Sequence, residues 1–215
     1  MSSHKKKLSQ MQNARMADEI NIRFKIDNKV HKAISRTRRE EYVPSGFSHK
    51  AYSLDALPIG AKQWISSPLT VAKMSQYLEP DGCDSVLEVG CGSGYQAAVL
   101  SNLFRRVFSI ERISSLLNEA RTKFSSQNLH NIHVRLDDGQ FGWNEYAPYD
   151  RILLSASIEK VPHELFRQLK DGGILVAPIE SNGVQTITKF VRDGNSITPT
   201  NLEICEFVPI LKGTE

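Results

Sequence analysis

Apolar residues along this chain follow two rhythms in succession. From about Leu8 to Tyr42 they are scattered among many charges, at Met11, Ile20, Ile22, Phe24, Ile26, Val30 and Ile34, a pattern that predicts helix. Asp27 or Asn28 is placed to cap a second helix running to about Arg38, and Pro44 should end the region. A stretch without periodicity follows, YVPSGFSHKAYSLDALPIGAKQWISSP, punctuated by Pro44, Gly46, Pro58, Gly60 and Pro68. Long loops inside a compact domain are uncommon, and those that occur are often functional. LTVAKMSQYLEP then reads as a helix, with Pro68 at its start and Pro80 marking its end.

From Asp84 onward the rhythm changes to alternating strands and helices. SVLEVG, RVFSIE, IHVRLDD, YDRILLSAS and GGILVAPI read as strands; YQAAVLSNLF, ISSLLNEARTKFSSQ and VPHELFRQL read as helices between them. VQTITKFVR and LEICEFVPI close the chain as two more strands, joined by a turn at Asp193-Gly194-Asn195 and expected to be antiparallel. Such alternation predicts an α/β fold: a doubly wound, mostly parallel sheet with an antiparallel C-terminal strand and an N-terminal helical extension. We expect residues 1–80 to supply the helices and the long loop, and residues 81–215 the sheet core, within one compact unit.

Composition narrows the picture without changing it. With 215 residues, 40% hydrophobic and 24% charged, the chain can bury a sizeable core. No apolar run is long enough to span a bilayer, and no apolar stretch follows the basic start MSSHKKKLSQ, so neither a membrane segment nor a secretory signal is expected. The formal charge of +3 is weak, and the run His4, Lys5, Lys6, Lys7 is read as a solvated terminus, with no nucleic-acid partner expected. Cys83, Cys91 and Cys205 are too few and too far apart for a disulfide framework or a zinc site, which points to free thiols in the cytoplasm. His49, His130, His133 and His163 share no metal-ligand spacing, so no metal is expected.

The chemistry concentrates at VLEVGCGSGYQAA. Three glycines fall between a predicted strand and a predicted helix, where open α/β sheets bind ligands. Gly90, Gly92 and Gly94 let the main chain turn tightly and approach a ligand that a Cβ would push away. Cys91 and Ser93 lie inside the same turn. Glu111, followed by Arg112, ends the second strand, where an acid can accept hydrogen bonds from the two hydroxyls of a ribose. Glu88 would repel phosphates yet suit a cationic ligand, and Asp138, beside Gly139 after the third strand, could accept from an adenine amine. A ribose, an adenine and a positive charge describe S-adenosylmethionine better than NAD.

With these residues in hand the chain resembles the protein-L-isoaspartate O-methyltransferases. The segments VLEVGCGSGYQAAVL, FSIER, DDGQFGWNEYAPYDRILLSAS and VPHELFRQLKDGGILVAPI look like that family's successive motifs, and EFVPILKG like its C-terminal strand. ALPIGAKQWISSP resembles its substrate loop; together with the GW-x-x-YAPYD segment it is far more diagnostic than the glycine turn. The resemblance implies an enzyme that transfers a methyl group from S-adenosylmethionine to the free α-carboxyl of L-isoaspartyl residues in damaged proteins. The ester then closes spontaneously to succinimide, whose hydrolysis returns some normal aspartate, and S-adenosylhomocysteine is the second product. It implies that Ile59, Gly60, Gln63, Ile65 and Ser66 contact the substrate, with Ser66 orienting its carboxylate. A monomer is expected, although the sequence does not fix the oligomeric state.

Two departures stand out. The family loop usually reads Gly-x-Gly-Gln-Thr-Ile-Ser, whereas this chain places Lys62 at the second glycine and Trp64 at the threonine. Asp137 occupies a position where the family often has glycine. Ser66 is a candidate helix cap as well as a substrate ligand, a task Ser67 could perform equally well. Trp143 and Tyr146 are expected to pack their loop. A methyltransferase for another carboxylate or small molecule, and a catalytically silent cofactor-binding module, remain the alternatives at this point.

Overall fold

The structure, a computed structural model, describes residues 3–215, with side chains from Lys7 onward; those of His4, Lys5 and Lys6 lie outside the described residues. The N-terminal region forms two helices, α1 (Ser3–Arg23) and α2 (Asn28–Arg36), followed by a 3-10 turn at Arg39–Glu41. Asp27 holds the N-cap position of α2 without a side-chain cap bond; its carboxylate accepts from Gln76 Nε2 at 2.8 Å. A second 3-10 turn, Ser45–Lys50, opens the long loop, which contains a two-residue antiparallel pair, β1 (Leu57–Pro58) with β2 (Trp64–Ile65). Helix α3 (Pro68–Tyr77) follows, with Pro68 in its first turn and Ser67 as its N-cap.

The core then alternates as expected: β3 (Ser85–Val89), α4 (Tyr95–Leu100), β4 (Arg106–Glu111), α5 (Ser114–Ser126), β5 (Ile132–Leu136), β6 (Tyr149–Leu154), α6 (His163–Arg167), β7 (Leu169–Ser181), β8 (Val184–Asp193) and β9 (Ser196–Cys205). The seven-stranded sheet runs β5-β4-β3-β6-β7-β8-β9. The first five strands in that order are parallel, while β7–β8 and β8–β9 pair antiparallel. Successive residues of a strand point to opposite faces. Val86, Val107, Leu153 and Val176 therefore pack with Met16, Ile20, Ala97 and Phe124, under the helices α1, α4 and α5. Leu87, Phe108, Ile152 and Leu175 pack on the other face with Trp143, Val161 and Leu165.

The closing strand needs correction. The sequence pattern predicts it at LEICEFVPI, but β9 starts at Ser196 and stops at Cys205, because its partner β8 begins at Val184 and the last pair is Gln185 with Cys205. Beyond that point the chain leaves the sheet edge and crosses to Ser157, just after β6. The Ser157 N–H donates to the Val208 carbonyl and the Ile210 N–H to the Ser157 carbonyl, each at 2.8 Å. This crossing brings the tail to the carboxyl ends of the parallel strands.

Candidate active site

At the end of β3 the backbone turns through Gly90, Gly92 and Gly94 at φ of 96°, 53° and 86°, left-handed values that residues with a Cβ rarely adopt. The turn is pinned from beneath. The Gly90 and Cys91 N–H groups both donate to the Ile110 carbonyl of β4, at 2.9 and 3.1 Å. Glu111, at the end of β4, fixes the geometry further: one oxygen accepts from the Gly92 N–H at 2.7 Å, and the other from the Arg112 and Ile113 N–H groups at 2.9 Å each. Close approach matters a second time at Gly139, where a Cβ would lie 2.3 Å from Val89 Cγ1.

A cleft opens above this turn. Its wall includes Gly90, Cys91, Gly92, Ser93, Glu111, Arg112 and Gly139 from the core, and Gln63, Ile65 and Ser66 from the long loop. Ten of the expected site residues thus share one cavity. Gly94 sits behind it as the N-cap of α4, and Ile59 and Gly60 line a neighbouring pocket with Tyr42 and Lys123.

Glu88 and Asp138 are placed otherwise. Glu88 is fully buried behind the turn, accepting from Ser109 Oγ at 2.5 Å and Ser155 Oγ at 3.2 Å. Burial pushes its carboxyl up to about 8, with the charge of Glu111 acting in the same direction and the two serines opposing. Asp138 caps the 3-10 turn Gly139–Phe141 through the Gln140 N–H at 3.0 Å, and its other oxygen accepts from the Gly213 N–H at 2.8 Å. Both acids spend hydrogen bonds on the protein itself. Burial holds the Cys91 thiol well above its ordinary range, so it contributes bulk rather than a thiolate.

The loop geometry separates the two serines. Ser67 Oγ accepts from the Thr70 N–H at 3.0 Å and so caps α3. The Ser66 hydroxyl makes no hydrogen bond among the described residues and lies on the cleft wall. The loop reverses between Gly60 and Gln63, whose N–H donates to the Gly60 carbonyl at 3.1 Å, with Ala61 and Lys62 at φ of 55° and 56°. Two left-handed residues in succession are the signature of a type I′ turn, which ordinarily calls for glycine or asparagine. The glycine that the family loop carries where this chain has Lys62 thereby acquires a backbone reason.

Comparison with known proteins agrees with this arrangement. The model of the protein-L-isoaspartate (D-aspartate) O-methyltransferase family matches residues 10–215. A Helicobacter pylori (strain G27) protein-L-isoaspartate O-methyltransferase is 54% identical over 209 residues, spanning 97% of this chain and 100% of its own length. The chain belongs to the protein-L-isoaspartate (D-aspartate) O-methyltransferase family. A Plasmodium falciparum structure described as a protein-L-isoaspartate O-methyltransferase in complex with S-adenosyl-L-homocysteine shares its fold, with a TM-score of 0.82 at 20% identity, over 93% of this chain and 98% of the other. A second solved protein-L-isoaspartate O-methyltransferase matches with a TM-score of 0.82 at 24% identity, over 91% of this chain and 64% of the other.

In this member of the isoaspartate methyltransferases, the cleft has walls that the motifs alone did not reveal. Tyr95 and Gln96 of α4, Ser155 and Ala156 after β6, and the tail residues Val208–Leu211 all line it. EFVPILKG lies beyond the end of β9 as a tail and not as a strand, its apolar run between polar neighbours being the available signal in the sequence. The tail is latched beyond the cleft as well. Arg112 Nε donates to the Gly213 carbonyl at 3.0 Å, and the Ser114 N–H donates to the Glu215 carbonyl at 2.7 Å.

Proposed function

We propose that this chain is a protein repair methyltransferase that esterifies the free α-carboxyl of L-isoaspartyl residues, with S-adenosylmethionine as methyl donor. The observation that carries the reading is the meeting of two halves in one cleft: the glycine turn with Glu111 on one wall, and the uncommitted Ser66 hydroxyl on another. The donor fits the residues present. A turn whose alternate residues are glycine and a carboxylate on the wall of the cleft suit a cationic nucleoside. When bound, S-adenosylmethionine supplies a methyl group already activated on a sulfonium.

The protein's own part is therefore placement. An α-carboxylate is ionised at neutral pH and attacks without a general base. Bringing it to near-attack distance can lower the barrier by several kcal/mol, of roughly 7–11 available in the best-aligned cases. Ser66 donates a hydrogen bond that aims the substrate carboxylate, while Gln63, Ile65, Ile59 and Gly60 shape the loop that receives the peptide. Glu111 keeps acceptor capacity beyond its three main-chain partners and takes the ribose hydroxyls. Gly90, Cys91, Gly92, Ser93, Gly94, Arg112 and Gly139 frame the donor, Asp138 contributes at the adenine end, and Glu88 acts from behind the turn through Ser155.

Residues 1–80 serve this reading as cover and substrate loop, and residues 81–215 as the donor-binding core, working as one unit. The partners are isoaspartyl-containing peptides and proteins, and the protein acts as a cytoplasmic monomer without nucleic-acid or membrane partners. Among the described residues no helix is long and apolar enough to cross a membrane. The test is to incubate the protein with S-adenosylmethionine and a synthetic isoaspartyl peptide and follow the products by mass spectrometry. Appearance of the methyl ester, then of succinimide and normal aspartyl peptide, is expected; persistence of unchanged peptide beside a chain that binds S-adenosylhomocysteine would overturn the assignment.

A further inference from the structure

Among the described residues, the largest fully buried side chain belongs to an arginine. Arg39, in the 3-10 turn Arg39–Glu41, is 0% exposed, and among the described residues no carboxylate lies within ion-pair distance of it. Buried guanidinium groups normally meet a carboxylate, because desolvation disfavours the charge. Here the group faces two main-chain carbonyls instead. Its two terminal nitrogens donate to the Ser66 carbonyl at 2.9 Å and to the Asp55 carbonyl at 3.1 Å, while its Nε has no hydrogen-bond partner among the described residues. Its Cζ lies over the Tyr95 ring, 4.9 Å from the centroid.

Those three contacts have a shared geometry. Asp55 precedes β1 and Ser66 follows β2, so one guanidinium closes the substrate loop at its base, across both ends. Tyr95 is the first residue of α4, directly after the glycine turn, and lines the cleft beside Ser66. Arg39 itself is anchored from α1, since its N–H donates to Asn13 Oδ1 at 3.4 Å. A methionine could fill the same volume without a charge, so packing alone does not call for arginine.

We propose that Arg39 is the positioning residue for Ser66: it clasps the substrate loop at Asp55 and Ser66 and sets it against the cofactor turn through Tyr95. The inference rests on the methyltransferase reading for its kinetic consequence. A forked donor satisfies two carbonyls in fixed directions, whereas an ammonium can serve them only as a point charge. Fixing the Ser66 carbonyl fixes the main chain from which its hydroxyl projects, and small misplacements of orienting groups are costly in rate.

The experiment compares Arg39→Met and Arg39→Lys with the unmodified protein. S-adenosylhomocysteine affinity by calorimetry should stay within about threefold, while kcat/KM for an isoaspartyl peptide falls by about thirtyfold in Arg39→Met and less in Arg39→Lys. Trp64 reports the loop independently of activity. In a Trp143→Phe background it is the sole tryptophan, and its anisotropy should fall in Arg39→Met. A folded Arg39→Met protein with kcat/KM within threefold and unchanged anisotropy overturns the proposal, as does a parallel loss of S-adenosylhomocysteine affinity. Should Arg39→Met fail to fold, the same readings on Arg39→Lys decide. An unmodified protein inactive on isoaspartyl peptide would sink the function reading alone, leaving the anisotropy to judge Arg39.

Discussion

Ser66 and Glu111 divide the work of the cleft, and their substitutions should separate cleanly. Ser66→Ala removes one hydrogen bond to a charged group, a loss of about 1.5–3 kcal/mol, or roughly ten- to a hundredfold in kcat/KM. S-adenosylhomocysteine affinity should hardly change, since Ser67 and not Ser66 caps α3. Glu111→Ala should instead weaken S-adenosylhomocysteine by about tenfold or more, because the Gly92, Arg112 and Ile113 N–H groups lose their acceptor together. Kinetics and calorimetry on both variants check the pair; equal losses of rate and affinity in Ser66→Ala would contradict an orienting role. Lys62 offers a backbone test. At its φ of 56°, Lys62→Gly should leave the melting temperature nearly unchanged, relief of strain offsetting the entropy of glycine. Lys62→Val should cost about 1–2 kcal/mol in denaturant unfolding, and a stable Lys62→Val protein would contradict the left-handed turn. The Gly-turn residues, Glu111 and Ser66 were legible in sequence because each is tied to a strand end or loop motif. Arg39 was not, since a basic residue in a charged helical region looks solvated until the fold buries it.

At the scale of elements, β3 carries a buried acid whose protonation is linked to folding. Glu88 in the folded chain titrates near 8, against 4.5 as its ordinary value, so between those pH values the folded form holds a proton that the unfolded form has released. Its contribution is therefore fully present below about pH 4.5 and is lost as pH rises toward 8, by up to roughly 5 kcal/mol. Glu88→Gln removes this titration while keeping a side chain that can bond Ser109 and Ser155. The stability difference between variant and unmodified protein, from urea unfolding at several pH values, should move in the variant's favour from pH 5 to 8. Parallel curves would contradict a raised carboxyl. The alternating pattern located all five parallel strands, because a buried strand with a glycine turn or a helix after it is a local signal. The end of β9 and the tail's crossing to Ser157 were not legible, since both depend on where β8 begins and on a partner far away in the chain.

The whole molecule assembles the cleft from three distant parts of the chain. The glycine turn and Glu111 come from the sheet core, Ser66 from the loop clasped by Arg39, and Val208–Leu211 from the tail latched to Arg112 and Asp138. Helices α1 and α2 belong to this assembly: Met16, Ile20, Val30 and Ile34 pack in one cluster with Val86 and Ala97 of the core. The fold class followed from the alternation, whereas the closure of the cleft by loop and tail is a product of tertiary packing. The most direct measurement of the central claim uses matched peptides, identical except for one L-isoaspartyl or L-aspartyl residue, and methyl-labelled S-adenosylmethionine. Base-labile label should accumulate on the isoaspartyl peptide with a kcat/KM about a hundredfold or more above the aspartyl one, as expected where a site orients a single carboxylate. Equal labelling of both peptides, or of neither, would contradict it.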